Sequence, residues 1–332
     1  MIADELGISK SLVSLALADK YGVNDEVKLK VKKSAIKMGY IQDAKKKSKT
    51  SQRTVSVLAS SDCFLPLDSF WNTIITSVEN RLNISDYRVN YIVLPKGFDV
   101  KNGDGIFAKD KSLGIIAILS TAEIAEYVLK TQKPAVFIDP KEEFSFEHAR
   151  VMASNKTAGY SAAKYLADKG HKKIAFLGNT CFSFSFRHRY TGFCNYITMN
   201  GGIVGADLHD EIIGGEVYYS TDNFEAVTAG SGITGVVCAN DWIALNLYRH
   251  LRLRGIKIPD DISVIGIDDM HETRFSNPPL TTMHIPRREI GEGAADIIIK
   301  MIEEGSIVAG MEYKARLIER ESVKDLRAEK EQ

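Results

Sequence analysis

From residue 54 onward, short apolar runs alternate with stretches of helical pattern. The runs are Val55–Ala59, Val89–Leu94, Gly114–Leu119, Ala135–Ile138, Lys173–Leu177, Gly235–Cys238 and Ser263–Ile267. Continuous apolar runs, as opposed to strict apolar–polar alternation, mark strands covered on both faces. Between many of them lie helical patterns at Phe70–Leu82, Ala122–Lys130, Lys156–Lys169, Arg189–Asn200 and Asp241–Gly255. Strand–helix alternation of this kind predicts an α/β fold built on doubly wound parallel sheets. Seven strands over about 270 residues suit two sheets in two lobes better than one large domain. No repeat of solenoid period is present.

Residues 1–40 follow another pattern and predict a small all-α head. Ile2–Leu6 reads as a first, short helix, and Gly7-Ile8-Ser9 as a turn. Ser9 stands where a hydroxyl caps the next helix, roughly Lys10 to Ala18. Asn24 is placed to cap a third helix, with Asp25 and Glu26 at its positive end. Val27, Val31, Ala35 and Met38 form its apolar stripe, and Gly39 can end it. Helix, glycine-containing turn, polar cap, helix is the order of a helix-turn-helix, whose second helix enters the DNA major groove.

Charge agrees with a polyanion partner at that end. The whole chain is neutral, yet residues 1–53 hold twelve basic and six acidic residues, leaving the remainder at −6. A nucleic-acid partner and a merely solvated, lysine-rich face both fit this asymmetry. Residues 41–53 carry almost no apolar side chains and read as a flexible basic linker. Cys63, Cys181, Cys194 and Cys238 form no CxxC pair, which argues against a metal or disulfide framework and for reduced thiols in the cytoplasm. No secretory start and no membrane-spanning run is seen. GxSxG, HExxH, P-loop and GxGxxG motifs are absent. The expectation is a non-enzyme without cofactor or metal.

The run Ile2-Ala3, Gly7-Ile8-Ser9, Val13-Ser14, Val23-Asn24 and Met38-Gly39-Tyr40 resembles the head of the lactose-repressor (LacI-type) family of transcriptional regulators. In the body the same resemblance spans residues 54 to 323. It rests on Ala158-Gly159-Tyr160, Gly170-His171, Arg189-x-x-Gly192-Phe193, Cys238-Ala239-Asn240-Asp241, Ile258-Pro259-Asp260-Asp261-Ile262-Ser263-Val264-Ile265-Gly266-x-Asp268-Asp269 and Pro278-Pro279-Leu280-Thr281-Thr282. The resemblance implies a two-lobed, periplasmic-binding-protein-like domain behind the DNA-binding head. Its boundaries would be residues 1–40 for the head, with a truncated first helix, 41–53 for the hinge, 54–323 for the effector domain and 324–332 for a charged tail. The N-lobe would hold about 54–154 and 286–310, the C-lobe about 155–283 and 313–320.

By resemblance, Ser9, Lys10, Ser11 and Ser14 would face DNA, and Lys46, Lys47 and Lys49 in the hinge would contact phosphates. Besides the truncated first helix, the sequence departs from the family at several places, among them Lys46-Lys47 where the family has an Ala-Arg pair and a longer loop at residues 60–69. Leu12 replaces a threonine, Leu15 replaces a common arginine, and Lys49 stands where the family wedges a leucine into the minor groove. The effector would meet Phe70, Trp71, Asp139, Arg189, Tyr218, Asn240 and Asp268. Carboxylates and a guanidinium suit adjacent hydroxyls, and an aromatic face suits a sugar ring, so a sugar or phosphosugar is expected. Phe70 and Trp71 are neighbours, so one reads as core and one as pocket. Asp269 reads as a structural cap and His171 as a structural hydrogen-bonding group. Arg187 and His188 could add an anion site. The implied partners are a double-stranded DNA operator, the effector and a second copy in a homodimer, with allosteric control. A sugar-binding protein, or a degenerate regulator that no longer reads DNA, is the alternative.

Overall fold

The computed structural model describes residues 2–17, 23–37, 53–60, 63, 69–95, 98, 100, 110–144, 148–200, 203–210, 222–228, 231–305 and 310–327. The chain divides into two compact units, Met1–Arg53 and Thr54–Gln332.

The first unit holds α1 (Ile2–Leu6), α2 (Lys10–Leu17) and α3 (Asp25–Lys37). Gly7 takes a φ of +62° between α1 and α2, a left-handed turn that side-chain-bearing residues resist. The Ser9 hydroxyl accepts the Leu12 N–H at 3.2 Å and so caps α2. Ile2, Ala16, Val23, Val31 and Ala35 make the core, with Leu12 and Val13 packed against it. Leu12, the replacement for threonine, therefore serves packing. Met38, Gly39 and residues 41–52, including Lys46, Lys47 and Lys49, lie outside the described residues.

The second unit contains two six-stranded sheets. The first, in spatial order β11-β5-β4-β3-β1-β2, comprises β1 (Thr54–Ser60), β2 (Arg88–Leu94), β3 (Gly114–Ile118), β4 (Ala135–Ile138), β5 (Ala149–Ala153) and β11 (Met311–Tyr313). The second, β12-β10-β9-β8-β6-β7, comprises β6 (Lys173–Asn179), β7 (Ile203–Asp210), β8 (Gly235–Cys238), β9 (Ser263–Asp268), β10 (Thr281–His284) and β12 (Arg316–Ile318). Pairing is parallel except between β10 and β12. Every apolar run expected as a strand is one. The five additional strands carry weaker patterns: β5 includes Arg150, β7 is interrupted by glycine, aspartate and histidine, and β10 is Thr-Thr-Met-His.

The chain passes from one sheet to the other between β5 and β6, between β10 and β11, and between β11 and β12. Tyr313 pairs with Ala153, so it stands with the first sheet and not with the second lobe's segment. Helices α4 (Ser69–Ile84) and α10 (Arg287–Glu304) pack on each other beside the first sheet. Helices α5 (Ala122–Lys130), α6 (Asn155–Asp168), α7 (Phe184–Met199), α8 (Asp222–Thr228) and α9 (Asp241–Leu253) complete the layers. Strand interiors such as Val57, Ile116, Val136, Val236 and Ile265 are fully buried. No helix among the described residues is long and apolar enough to cross a membrane.

Candidate functional site

Parallel strands leave their polar chemistry at their C-terminal ends, where the chain turns into a helix. Four such ends face one another here. Leu119 follows β3, Asp139 follows β4, Asn240 follows β8 and Asp268 closes β9. Three of these residues hold positive φ: Leu119 at 51°, Asp139 at 44° and Asp268 at 139°, with Asp269 next at 53°. Such backbone costs of order 1 kcal/mol or more per residue, and it gathers where a site demands it.

A cavity opens at these ends. Phe70, Trp71, Asp139, Arg189, Asn240 and Asp268 all line it, together with Leu119, Phe182, Ser183, Ser185, Phe186, Trp242 and Met270. Phe70 and Trp71 both line the cavity, and Trp71 is also buried in the core. They sit in the first turn of α4 with their rings edge-to-face, centroids 4.9 Å apart. Tyr218 lies outside the described residues.

Arg189 anchors the floor and is 3% exposed. Its Nε donates to Asn155 Oδ1 at 2.9 Å, its Nη1 to the Ala239 carbonyl at 2.7 Å, and its Nη2 meets Asp268 Oδ1 at 3.0 Å. One guanidinium thus joins the turn after β8, the end of β9 and the start of α6. A buried pair of this kind holds a geometry more than it adds stability, and removing one partner typically costs about 3–5 kcal/mol. Asp139 accepts a hydrogen bond from Ser185 across the cleft. Burial pushes its carboxyl above the usual range, against the opposing pull of Ser185 and Arg189. Asn240 spends its side-chain oxygen on the Ile243 N–H at 2.9 Å, capping α9. The two lobes also meet through backbone, since the Phe184 N–H donates to the Lys141 carbonyl at 2.8 Å.

Other expected residues stand apart. Asp269 binds Arg320 and His284, the latter at 2.9 Å, and is structural. His171 is buried, with Nδ1 3.0 Å from Thr234 Oγ1 and Nε2 3.1 Å from the Lys324 carbonyl. Arg187 and His188 are not among the cavity's lining residues. Burial, then the Lys156 charge, lowers His188 to about 4, so it is neutral near pH 7. Sequence reasoning missed Phe182, Ser185 and Phe186 because it began the helix after β6 at Arg189, five residues late, and it passed over Trp242 in the first turn of a helix it had placed correctly. The signal was there in Ser183, whose hydroxyl accepts the Phe186 N–H at 3.2 Å.

Residues 163–323 match the periplasmic binding protein-like domain family. The lac repressor dimer bound to operator and the anti-inducer ONPF superposes with a TM-score of 0.71 at 21% identity, over 97% of this chain and 98% of that one. The CelR–cellobiose complex gives 0.71 at 20% identity, over the same shares. At such identities these likenesses establish the fold alone. The HTH-type transcriptional repressor PurR of Vibrio atlanticus (strain LGP32) is 29% identical over 351 residues, covering 98% of both chains. Together these comparisons support a LacI-type regulator.

Two glycines of this LacI-type regulator explain how Arg189 is held. A Cβ on Gly159 would lie 1.8 Å from the Arg189 carbonyl oxygen, and one on Gly192 would lie 1.9 Å from that of Lys156. The crossing of α6 and α7 is thus backbone against backbone, and it fixes the position from which Arg189 reaches into the cavity. In the regulator's head, Ser9, Lys10, Ser11 and Ser14 are exposed along the start and one side of α2. Leu15 is 40% exposed on the same helix.

Proposed function

We propose that this regulator is a repressor that binds a double-stranded operator as a homodimer, and that a small sugar-like effector in the cavity sets its operator affinity. One observation carries the reading. Six residues drawn from positions 70 to 268, each singled out for ligand contact, line a single cavity between two sheets. Asp139, Asp268 and Arg189 offer charge-assisted hydrogen bonds to neighbouring hydroxyls, and the aromatic rings cover C–H faces. Ser9, Lys10, Ser11 and Ser14 are the residues we assign to the operator, with Lys46, Lys47 and Lys49 assigned to phosphates. Binding without turnover suffices for this role. Acting on DNA places the protein in the cytoplasm.

Control follows from the two-lobed build. An effector shifts the lobes only by the difference in its affinity for their two arrangements. A thermal-shift screen over sugars, phosphosugars and purines, with Arg189→Ala as control, tests the cavity. Absence of any shift, or shifts indifferent to Arg189→Ala, overturns the effector site. Gel shifts with the gene's own upstream DNA across a salt series test the head. Equal affinity for every duplex overturns operator recognition.

A further inference from the structure

The cavity is built for more than a sugar ring. Five of its lining side chains are aromatic, and they enter from both lobes. The start of α4 brings Phe70 and Trp71 from the first, while the start of α7 and its preceding turn bring Phe186 and Phe182 from the second, joined by Trp242 on α9. A sugar ring has two faces, each covered by a single aromatic ring, and five rings exceed that need. Rings on both walls suit a flat group enclosed between them.

Charge narrows the ligand further. Two carboxylates, Asp139 and Asp268, line the cavity against one guanidinium. Arg189 directs all three of its nitrogens at protein oxygens. Among the described lining residues Arg189 is the one cation, while Arg287 and Lys141 stand 5.8 and 5.9 Å from the centres of the Phe70 and Phe182 rings, so a phosphate would compete with Asp268 for Arg189 while facing Asp139. Asn240, by contrast, uses only its oxygen in capping α9, which leaves its amide N–H groups to donate to a ring nitrogen or carbonyl.

We infer that the effector is an uncharged nucleoside, its base between the aromatic walls and its ribose hydroxyls on the carboxylates and Arg189. This deepens the effector-site reading above and rests on it. The probes are adenosine, inosine, cytidine and uridine, titrated calorimetrically into the full-length protein. Comparison titrations use ribose, the free bases, the 5′-monophosphates and a nitrophenyl riboside. At least one nucleoside binds about tenfold or more tighter than ribose and than its own base, and its 5′-monophosphate binds at least about tenfold weaker. Trp242→Leu lowers nucleoside affinity more than ribose affinity. A free sugar, a free base or the nitrophenyl riboside binding as tightly as any nucleoside overturns the inference, as does a preferred monophosphate. Sugar binding that Arg189→Ala abolishes, with no nucleoside bound, sinks the inference and leaves the site standing. Binding by none of the probes sinks both.

Discussion

Arg287 opens the helix that packs on the first sheet, yet its Nη2 donates to the backbone carbonyl of Asp269 in the second lobe, 2.8 Å away. The same guanidinium lies 5.8 Å from the centre of the Phe70 ring, a wall of the cavity. Arg287 therefore touches the cavity wall of one lobe and the Asp268–Asp269 turn of the other. Arg287→Ala is expected to weaken binding of the ligand found in the screen by about tenfold, the worth of one charge-assisted hydrogen bond, with a melting temperature only slightly lowered. Calorimetric titration checks this, and unchanged affinity would remove Arg287 from the coupling.

Gly159→Ala places a methyl group where the Arg189 carbonyl already stands. The helices α6 and α7 must separate, and Arg189 moves with its helix. Urea denaturation is expected to show a loss of at least about 1–3 kcal/mol, the range for overpacking a tight core. Ligand response falls with it. A fully stable variant would mean that the crossing is looser than its geometry indicates.

Asp241 gives the protein a pH dependence of definite sign. It is fully buried, accepts hydrogen bonds from Thr282 Oγ1 at 2.6 Å and the Met270 N–H at 2.8 Å, and is raised from 3.8 to about 6, chiefly by burial. Between those two values the folded state holds more proton than the unfolded one, so this group's contribution to stability declines as pH rises from about 4 to about 6. Asp269 works in the opposite sense. Its carboxyl is lowered by His284 and Arg320 despite burial, and its contribution is lost as pH falls below the ordinary aspartate value. The stability difference between the native chain and Asp241→Asn is expected to change across pH 4 to 6 and to be flat above 7. A difference constant with pH would show that Asp241 does not titrate there.

At the head, Leu15→Arg restores the donor that the family carries at this exposed position. Operator affinity is expected to rise and its salt dependence to steepen by about one in log–log slope, while Lys10→Ala weakens binding. Gel shifts on the preferred operator and on a scrambled duplex read both changes. Two silent variants would place α2 away from DNA.

Much of this was legible because buried parallel strands write themselves as apolar runs, and because Asp268 ends one of them and Asn240 follows another by two residues. What the sequence concealed depends on partners far along the chain. The role of Asp269 is set by His284 and Arg320, and that of Asn155 by Arg189, none of them near in sequence. Whether Phe70, Trp71 or both would reach the cavity was open in the sequence for a geometric reason. Neighbours diverge on the flank of a helix, but at its first turn both can reach a common space.

The left-handed backbone at Leu119, Asp139 and Asp268 has an implication for engineering. Glycine adopts these angles freely, so glycine at Leu119 or Asp139 would release local strain while deleting part of the cavity wall. The cavity is thus a standing burden on the fold. A chain relieved of it would make a sturdier but unresponsive scaffold, on which a different recognition chemistry could be installed.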